Sequence, residues 1–226
     1  MAMASAAFGA DYTAETVWTL NFGSEFANGF QWTAEEGYSY GTPWDIVAVA
    51  DGAQTSSSKR VHMAGGVFGS WDTDFVLTLN VTLGDTISAS NNWPVFGEIG
   101  GNGTALRFGP YIAKDNTVGV DGNLTKDPLK NNLVSVEAGE TYTVTLTKIG
   151  KEVTVAVDGE ATGYGVLADS VTGNITDLML GGNQANQYKI NEVVHSASWA
   201  VLIPEPATAT LSLLALAGLA SRRRRR

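Results

Sequence analysis

One stretch in the middle of the chain contains a carboxylate that could do acid–base chemistry. Glu98 lies in NNWPVFGEIGGNG, between an aromatic segment and a run of glycines. Hydrolysis of glycosides with retention of configuration uses two carboxylates about 5–5.5 Å apart, which two positions on the same face of one strand can supply. The residues that follow Glu98 are IGGN, so its own strand offers no second carboxylate. The sequence therefore predicts that the chain is not an enzyme, and glycoside hydrolysis is a distant alternative.

Two Asn-rich segments carry the groups that sugar-binding sites use. Such sites stack the sugar ring on an exposed aromatic side chain and reach its hydroxyls with amides or carboxylates. The stretches ASNNWPVFG and GGNQANQYK both predict loops that carry amides. Asn is also common in turns for backbone reasons, and a Trp can simply pack at the edge of a sandwich. The candidate ligand-binding residues are Asn91, Asn92, Trp93, Asn183, Gln184 and Asn186.

A cation site is the second kind of candidate. Asp72 and Asp74 stand two residues apart at the entrance to a predicted strand, where both could face one Ca²⁺ ion. Paired acids at a strand end are also common as solvated edge residues. The chain has no Cys and only two His, which excludes thiolate ligands and disulfides and gives no zinc-site spacing. Calcium is therefore the one candidate cofactor.

The elements that position these residues are predicted to be β-strands throughout. In DFVLTLNVTL every second residue from Phe75 to Leu83 is apolar, and TYTVTLTKIGKEVTVAVDGE repeats this alternation on both sides of Gly150-Lys151. Alternation of period two is typical of half-buried strands, and the second stretch predicts a hairpin. No window before the tail has helical periodicity, so the predicted fold class is all-β: an antiparallel β-sandwich of the jelly-roll type. Further strands are predicted at 18–22, 45–50, 104–108, 133–136, 175–180, 188–194 and 198–203, with Trp18, Trp32 and Trp199 in the core.

The charge distribution limits the partners of this body. With Arg222–Arg226 set aside, nine basic residues stand against 23 acidic ones. Such a surface repels phosphate backbones and anionic lipids, so nucleic acid is excluded as an expected partner. Cations and neutral ligands such as sugars are favoured.

The C-terminal stretch IPEPATATLSLLALAGLASRRRRR differs from everything before it. Residues 207–220 carry no charge, and as a helix at ~1.5 Å per residue they would span ~21 Å, less than the ~30 Å hydrocarbon core. The arginines would stay on the cytoplasmic side and leave the body across the membrane. An amphipathic or disordered tail is the alternative interpretation.

Three parts of this stretch occur in a fixed order: Pro204-Glu205-Pro206, a Leu/Ala-rich run, and a basic cluster at Arg222, Arg223, Arg224, Arg225 and Arg226. The order resembles the PEP-CTERM sorting signal of Gram-negative bacteria that secrete exopolysaccharide. The resemblance implies export, transient anchoring in the inner membrane by a short C-terminal hydrophobic helix, and processing by an exosortase. It places the mature protein at the cell surface, in the envelope or in the extracellular matrix. Residues 203–226 would form this signal.

The front of the chain is expected to contribute little to the fold. The stretch MAMASAAFGADY resembles the small-residue end of a secretory signal, with Ala4-Ser5-Ala6 as an A-x-A pattern. Residues 1–11 are therefore expected to be a signal remnant or a disordered terminus.

The order of the later strands resembles the end of a concanavalin A-like jelly roll of the LamG type. The similar residues are the Val157-Asp158-Gly159 turn, then LMLGGN, then YKINEVVHSASW, and the resemblance covers residues 12–202. Asn191 stands where the family usually has Asp, and the Trp-His that often opens the hairpin is replaced near Thr141-Tyr142. The resemblance implies a concanavalin A-like jelly-roll fold for residues 12–202.

Two functions of different classes follow from the sequence. The first is an exported, non-catalytic surface or matrix domain that binds carbohydrate or mediates adhesion. The second is a structural surface protein with no specific glycan ligand. The expected partners are an exosortase and the inner membrane, through the tail, and a polysaccharide as the candidate ligand.

Overall fold

The computed structural model describes the strands of the chain and several segments that join them. The described residues are 12–21, 39–40, 47–49, 52–54, 61–64, 68–84, 96–101, 104–109, 116–125, 133–180 and 192–205. Within these ranges the chain forms strands and no helix, which confirms the predicted all-β class. The strands are β1 (Tyr12–Asn21), β2 (Ser39–Tyr40), β3 (Val47–Val49), β4 (Gly52–Gln54), β5 (Val61–Ala64), β6 (Phe75–Thr82), β7 (Gly97–Gly101), β8 (Thr104–Gly109), β9 (Gly119–Gly122), β10 (Thr141–Ile149), β11 (Glu152–Val157), β12 (Glu160–Val166), β13 (Asp177–Leu180) and β14 (Val193–Pro204).

The strands form two sheets. The eight-stranded sheet has the order β12-β11-β10-β6-β14-β4-β3, and β1 pairs with β14 alongside this path. The six-stranded sheet has the order β2-β5-β13-β7-β8-β9. The pairs within each sheet are antiparallel, and neighbours in a sheet are often distant in the sequence, as β6 and β14 are. This is the predicted antiparallel β-sandwich of the jelly-roll type.

One hydrophobic core lies between the two sheets. Along β6, Leu77, Leu79 and Val81 are fully buried, and Thr78 and Asn80 between them are not. The six-stranded sheet contributes Ile99, Leu106, Phe108, Leu178 and Leu180 to the same cluster, all with no exposed surface. Each sheet therefore turns one face to the core, as the alternation in the sequence predicts, and Val76 and Ala200 are also buried on the opposite face of the eight-stranded sheet.

An aromatic cluster packs on the core side of the eight-stranded sheet. The Trp199 ring on β14 stacks on Phe75 with the ring centroids 4.1 Å apart. It also stacks on Trp18 at 6.4 Å and meets Phe68 edge-on at 5.4 Å. Trp18 and Trp199 are core residues, as predicted, and Trp32 lies outside the described residues.

The predicted hairpin is confirmed. Val144, Leu146, Val153 and Val155 are buried, and Leu146 pairs directly with Val155 across β10 and β11. Gly150 takes φ 57° in the connecting turn, a left-handed conformation that Gly adopts without strain.

Two strand predictions need correction. The strands predicted at 188–194 and 198–203 overlap a single strand, β14, whose register shifts between Val194 and Ser196. A β-bulge of this kind interrupts the alternation, which made one strand look like two. Residues 188–191 lie outside the described residues.

The stretch 133–136 is not a strand. Ser135 makes one isolated bridge, to Thr117. The amides of Leu133 and Val134 donate to the buried Thr162 hydroxyl at 3.2 and 2.9 Å instead of joining a ladder. That hydroxyl in turn donates to the Val118 carbonyl at 2.6 Å.

The predicted C-terminal helix lies outside the described residues. Among the residues that are described, no helix is long and apolar enough to cross a membrane.

Truncation of an inward side chain should cost far more stability than truncation of an outward neighbour. Leu79→Ala removes a fully buried side chain and is expected to lower the free energy of unfolding by about 2–4 kcal/mol. Thr145→Ala, on the outward face of β10, is expected to cost less than about 1 kcal/mol. Urea unfolding of both variants checks this, and equal losses would mean that the outward face is packed as tightly as the core.

Glu192, directly before β14, is fully buried. Burial raises the pKa of its carboxyl well above the ordinary value of 4.5. The folded chain therefore holds this proton to a higher pH than the unfolded chain does. The contribution of this bound proton to the free energy of unfolding is fully present below the pKa of Glu192 in the unfolded chain. It is lost as the pH rises through the pKa of Glu192 in the folded chain.

Glu192→Gln should remove that part of the pH dependence. The free energy of unfolding of the wild type, minus that of the variant, is expected to fall as the pH rises from 4 to 8. Urea unfolding at several pH values measures this difference, with the exposed Glu160→Gln as the control. Parallel pH profiles for the wild type and Glu192→Gln would show that the carboxyl has the same pKa in the folded and unfolded states.

Candidate functional site

Charged side chains form a row on the outward face of the six-stranded sheet. Ile99, Leu106 and Leu178 point into the core, so Glu98, Arg107 and Met179 must point the other way. Strand pairing sets Met179 opposite Glu98, Glu98 opposite Arg107, and Arg107 opposite Asp121. We call the outward side chains of Glu98, Arg107, Asp121, Asp177 and Met179 the Glu98 face.

An ion pair stands at the centre of the Glu98 face. The Arg107 Nε donates to Glu98 Oε2 at 2.9 Å. The Arg107 side chain is 31% exposed and that of Glu98 is 16% exposed, so a ligand can reach both groups. The pair fixes the direction of each side chain and keeps a strong acceptor beside a strong donor. His62, on β5, occupies the next register position, opposite Met179.

A second carboxylate lies on the strand beside Glu98. Asp177 pairs with Gly100, two residues along β7, which makes Asp177 and Glu98 diagonal neighbours on one face. The Cα atoms of such neighbours are roughly 7–8 Å apart. The Thr176 hydroxyl donates to Asp177 Oδ2 at 2.6 Å and orients the carboxylate.

Sequence reasoning missed Arg107, Asp121 and Asp177. The signal for their direction was available, since Leu106 and Phe108 flank Arg107 and Leu178 follows Asp177. Their proximity to Glu98 was not predictable, because it depends on the pairing of β7 with β8 and β13.

The residues predicted to bind a ligand lie outside the described residues. These are Asn91, Asn92, Trp93, Asn183, Gln184 and Asn186. The two segments that carry them attach to the sheet side by side: one leads into β7 at Gly97, the other leaves β13 at Leu180, and Gly97 pairs with Leu180. Both attachment points border the Glu98 face.

Asp74 forms an ion pair with a buried lysine. Its Oδ1 accepts from the fully buried Lys148 Nζ at 3.1 Å and from the Gly150 amide at 2.7 Å. Asp72 is exposed in the preceding turn. Within the described ranges no three His, Cys, Asp or Glu side chains are grouped to hold a metal ion. Calcium binding stays a prediction.

Part of the predicted sorting signal is described. Pro204 ends β14 opposite Tyr12, and Glu205 Oε1 accepts from the Thr13 hydroxyl at 2.7 Å. The first two residues of the Pro-Glu-Pro motif are therefore held against β1. Pro206 and Arg222–Arg226 lie outside the described residues.

No family model matches the chain, and no curated protein matches it. Among solved structures it is similar to domain 4 of a GH43 extracellular arabinanase from Geobacillus stearothermophilus, in complex with arabinotriose. The TM-score is 0.56, with 11% identity over 84% of this chain and 95% of that one. It is also similar to Trypanosoma rangeli sialidase in complex with sialic acid, with a TM-score of 0.53 and 15% identity over 83% of this chain. The match spans 30% of the sialidase chain.

These likenesses establish the fold class and correct one prediction. The structures that share the β-sandwich come from carbohydrate-active enzymes. These likenesses to enzymes contradict the prediction that the chain is not an enzyme. It assumed that a second carboxylate must come from the strand of Glu98, whereas the sheet supplies Asp177 from β13.

Changing Asp74 to Asn should lower the free energy of unfolding far more than changing Asp72 to Asn. Asp74→Asn removes the charge that faces the buried Lys148 ammonium, and a loss of about 3 kcal/mol in the free energy of unfolding is expected. Asp72→Asn, in the exposed turn, should stay within about 0.5 kcal/mol. Urea unfolding with and without Ca²⁺ is the measurement. Stabilisation of the wild type by Ca²⁺ that both variants abolish would assign the two carboxylates to a cation.

Proposed function

We propose that the chain is an exported carbohydrate-recognising domain whose ligand lies across the Glu98 face. The observation that carries this proposal is the partly exposed Glu98–Arg107 ion pair, with Asp121 and Asp177 beside it on one sheet face. From β5 to β9 this face extends about 19 Å, at ~4.8 Å per strand. That length suits an oligosaccharide that crosses the strands.

The chemistry of the face suits sugar hydroxyls. A hydroxyl group both donates and accepts, so it can bond to a carboxylate and to a neighbouring guanidinium at the same time. Both charged groups are already oriented by their ion pair, which reduces the ordering cost of binding. Met179 supplies an apolar surface in the same row.

The similar solved structures support the ligand class. The arabinanase domain that shares the fold was solved in complex with arabinotriose. The sialidase that shares it was solved in complex with sialic acid. Identity is 11% and 15%, so no residue is transferred from either protein to this chain.

Glycoside hydrolysis is the second candidate function, favoured by the diagonal placement of Glu98 and Asp177. A separation of about 6.5–9.5 Å between carboxyl groups leaves room for the attacking water of an inverting hydrolase. One carboxyl would protonate the leaving oxygen as its bond to the sugar breaks. The other would take a proton from the water that forms the new bond.

The C-terminal tail supports export and sorting. We propose that residues 203–226 act as a PEP-CTERM signal that an exosortase processes at the inner membrane of a Gram-negative bacterium. The domain would then reach the cell surface or the extracellular matrix, where it would meet polysaccharide as its ligand. The supporting observations are the order of motif, uncharged run and arginine cluster in the sequence.

Arg107→Ala should weaken glycan binding at least tenfold, because it removes the donor and frees Glu98 from its fixed position. A glycan array followed by titration with the best ligand measures the change. Glu160→Gln, an exposed acid on the other sheet, serves as the control. Absence of binding to any glycan by a folded wild type would contradict the proposal.

Product analysis of the same glycans tests hydrolysis. Glu98→Gln and Asp177→Asn should each abolish product formation, whereas Glu160→Gln, on the other sheet, should retain it. Binding without products in the wild type would keep the recognition proposal and remove the hydrolase candidate.

Processing of the tail is tested in a host that carries an exosortase. Intact-mass spectrometry of the mature protein should show that Arg222–Arg226 and most of residues 207–220 are absent. Changing Glu205 and both flanking prolines to Ala should leave the uncut form in the inner membrane. Full-length, arginine-bearing protein at the cell surface would contradict the sorting signal.

A further inference from the structure

The outward face of the eight-stranded sheet carries a regular array of small polar side chains. Across β10, β6, β14 and β1, one row consists of Thr145, Thr78, Ser198 and Thr19, which pair in that order. The adjacent row, in the same strand order, consists of Thr143, Asn80, Ser196 and Asn21. Thr147 and Thr154 extend the array toward β12. We call these ten side chains the hydroxyl face.

The hydroxyl face is open and uncharged. None of its ten residues is buried. Its groups repeat about every 4.8 Å across the strands and about every 6.8 Å along them. The array ends at Val76 and Ala200, which are buried. In a chain with a net charge of −9, two rows across four strands without one charged side chain form a surface of distinct chemistry.

The central hydroxyls of this face are available for a ligand. The next row differs, because Thr82 bonds to Thr141 at 2.7 Å and to His195 at 2.6 Å. Among the described residues, the side chains of Thr78, Thr145 and Ser198 have no hydrogen-bond partner. Each Thr also presents a methyl group, so the face offers polar and apolar contacts in alternation.

An aromatic ring borders the array. Tyr164 on β12 pairs with Thr154, which places its ring on the same side of the sheet. The Tyr164 hydroxyl bonds to Glu152, and the pKa of this phenol is raised by desolvation and then by that carboxylate. The ring is therefore held at the edge of the hydroxyl face, where a sugar ring can stack on it.

We propose that the hydroxyl face, with Tyr164, is a second binding site, and that it takes a neutral polysaccharide. A neutral chain matches the face because a uronate or sulfate group would meet no counter-charge there. The inference shares its ligand class with the proposed function but uses the opposite side of the sandwich. With ligands on both outward faces, one molecule would connect two polysaccharide chains.

Retention on an insoluble neutral glucan tests the second site. Full-length protein is mixed with microcrystalline cellulose and, separately, titrated with a soluble mixed-linkage glucan; alginate serves as the acidic comparison. Thr145→Glu and Tyr164→Ala should each reduce affinity for the neutral glucan at least tenfold. Thr145→Ser keeps the hydroxyl and should retain binding, and equal melting temperatures confirm that the variants are folded.

Arg107→Ala separates this site from the Glu98 face. If the hydroxyl face binds the neutral glucan, Arg107→Ala should keep measurable affinity for it, and adding Thr145→Glu to Arg107→Ala should lower that remaining affinity at least tenfold. Loss of binding in Arg107→Ala alone would assign the glucan to the Glu98 face and overturn the second site. Unchanged affinity in Thr145→Glu and Tyr164→Ala would overturn it as well. So would inhibition of ice recrystallisation without retention on either glucan, because the array would then order water.

Discussion

The alternation of side chains along β6 and β14 is the constraint on which the rest of the structure depends. Both strands lie inside the eight-stranded sheet, and Leu77, Leu79 and Trp199 fill the core from them. A shift in pairing by one residue would turn these side chains outward and bury their polar neighbours. The stacking of Trp199 on Phe75, with centroids 4.1 Å apart, holds the register. The composition of the outward face follows from this register.

The sequence predicts those parts of the fold in which alternation runs without interruption. Strand β6 and the β10–β11 hairpin were predictable because apolar and polar residues alternate along most of their length. Strand β14 was divided in two because a bulge at residues 194–196 breaks the period. The stretch 133–136 has strand-like composition, but the amides of Leu133 and Val134 donate to the Thr162 hydroxyl and not to a neighbouring strand. Local pattern cannot report a side chain that arrives from another strand.

The candidate site was less predictable than the fold, for the same reason. Alternation indicates that Glu98, Arg107 and Asp177 point outward, but their assembly depends on β7 lying between β8 and β13. Asp74 was a candidate ligand for a metal cation because of its position before a strand. In the fold it forms an ion pair with the Lys148 ammonium instead. The exclusion of enzyme activity failed at this step, because a sheet can pair carboxylates that one strand keeps apart.

NMR mapping of a bound oligosaccharide on the isotope-labelled protein tests most directly the proposal that the Glu98 face is the principal ligand surface. The best ligand from a glycan array is titrated while the backbone amide shifts are followed. The largest amide shifts are expected in β7, β8 and β13, around Glu98, Arg107 and Asp177, with little change at core positions such as Leu79. Saturating ligand that leaves β7, β8 and β13 unchanged would contradict it.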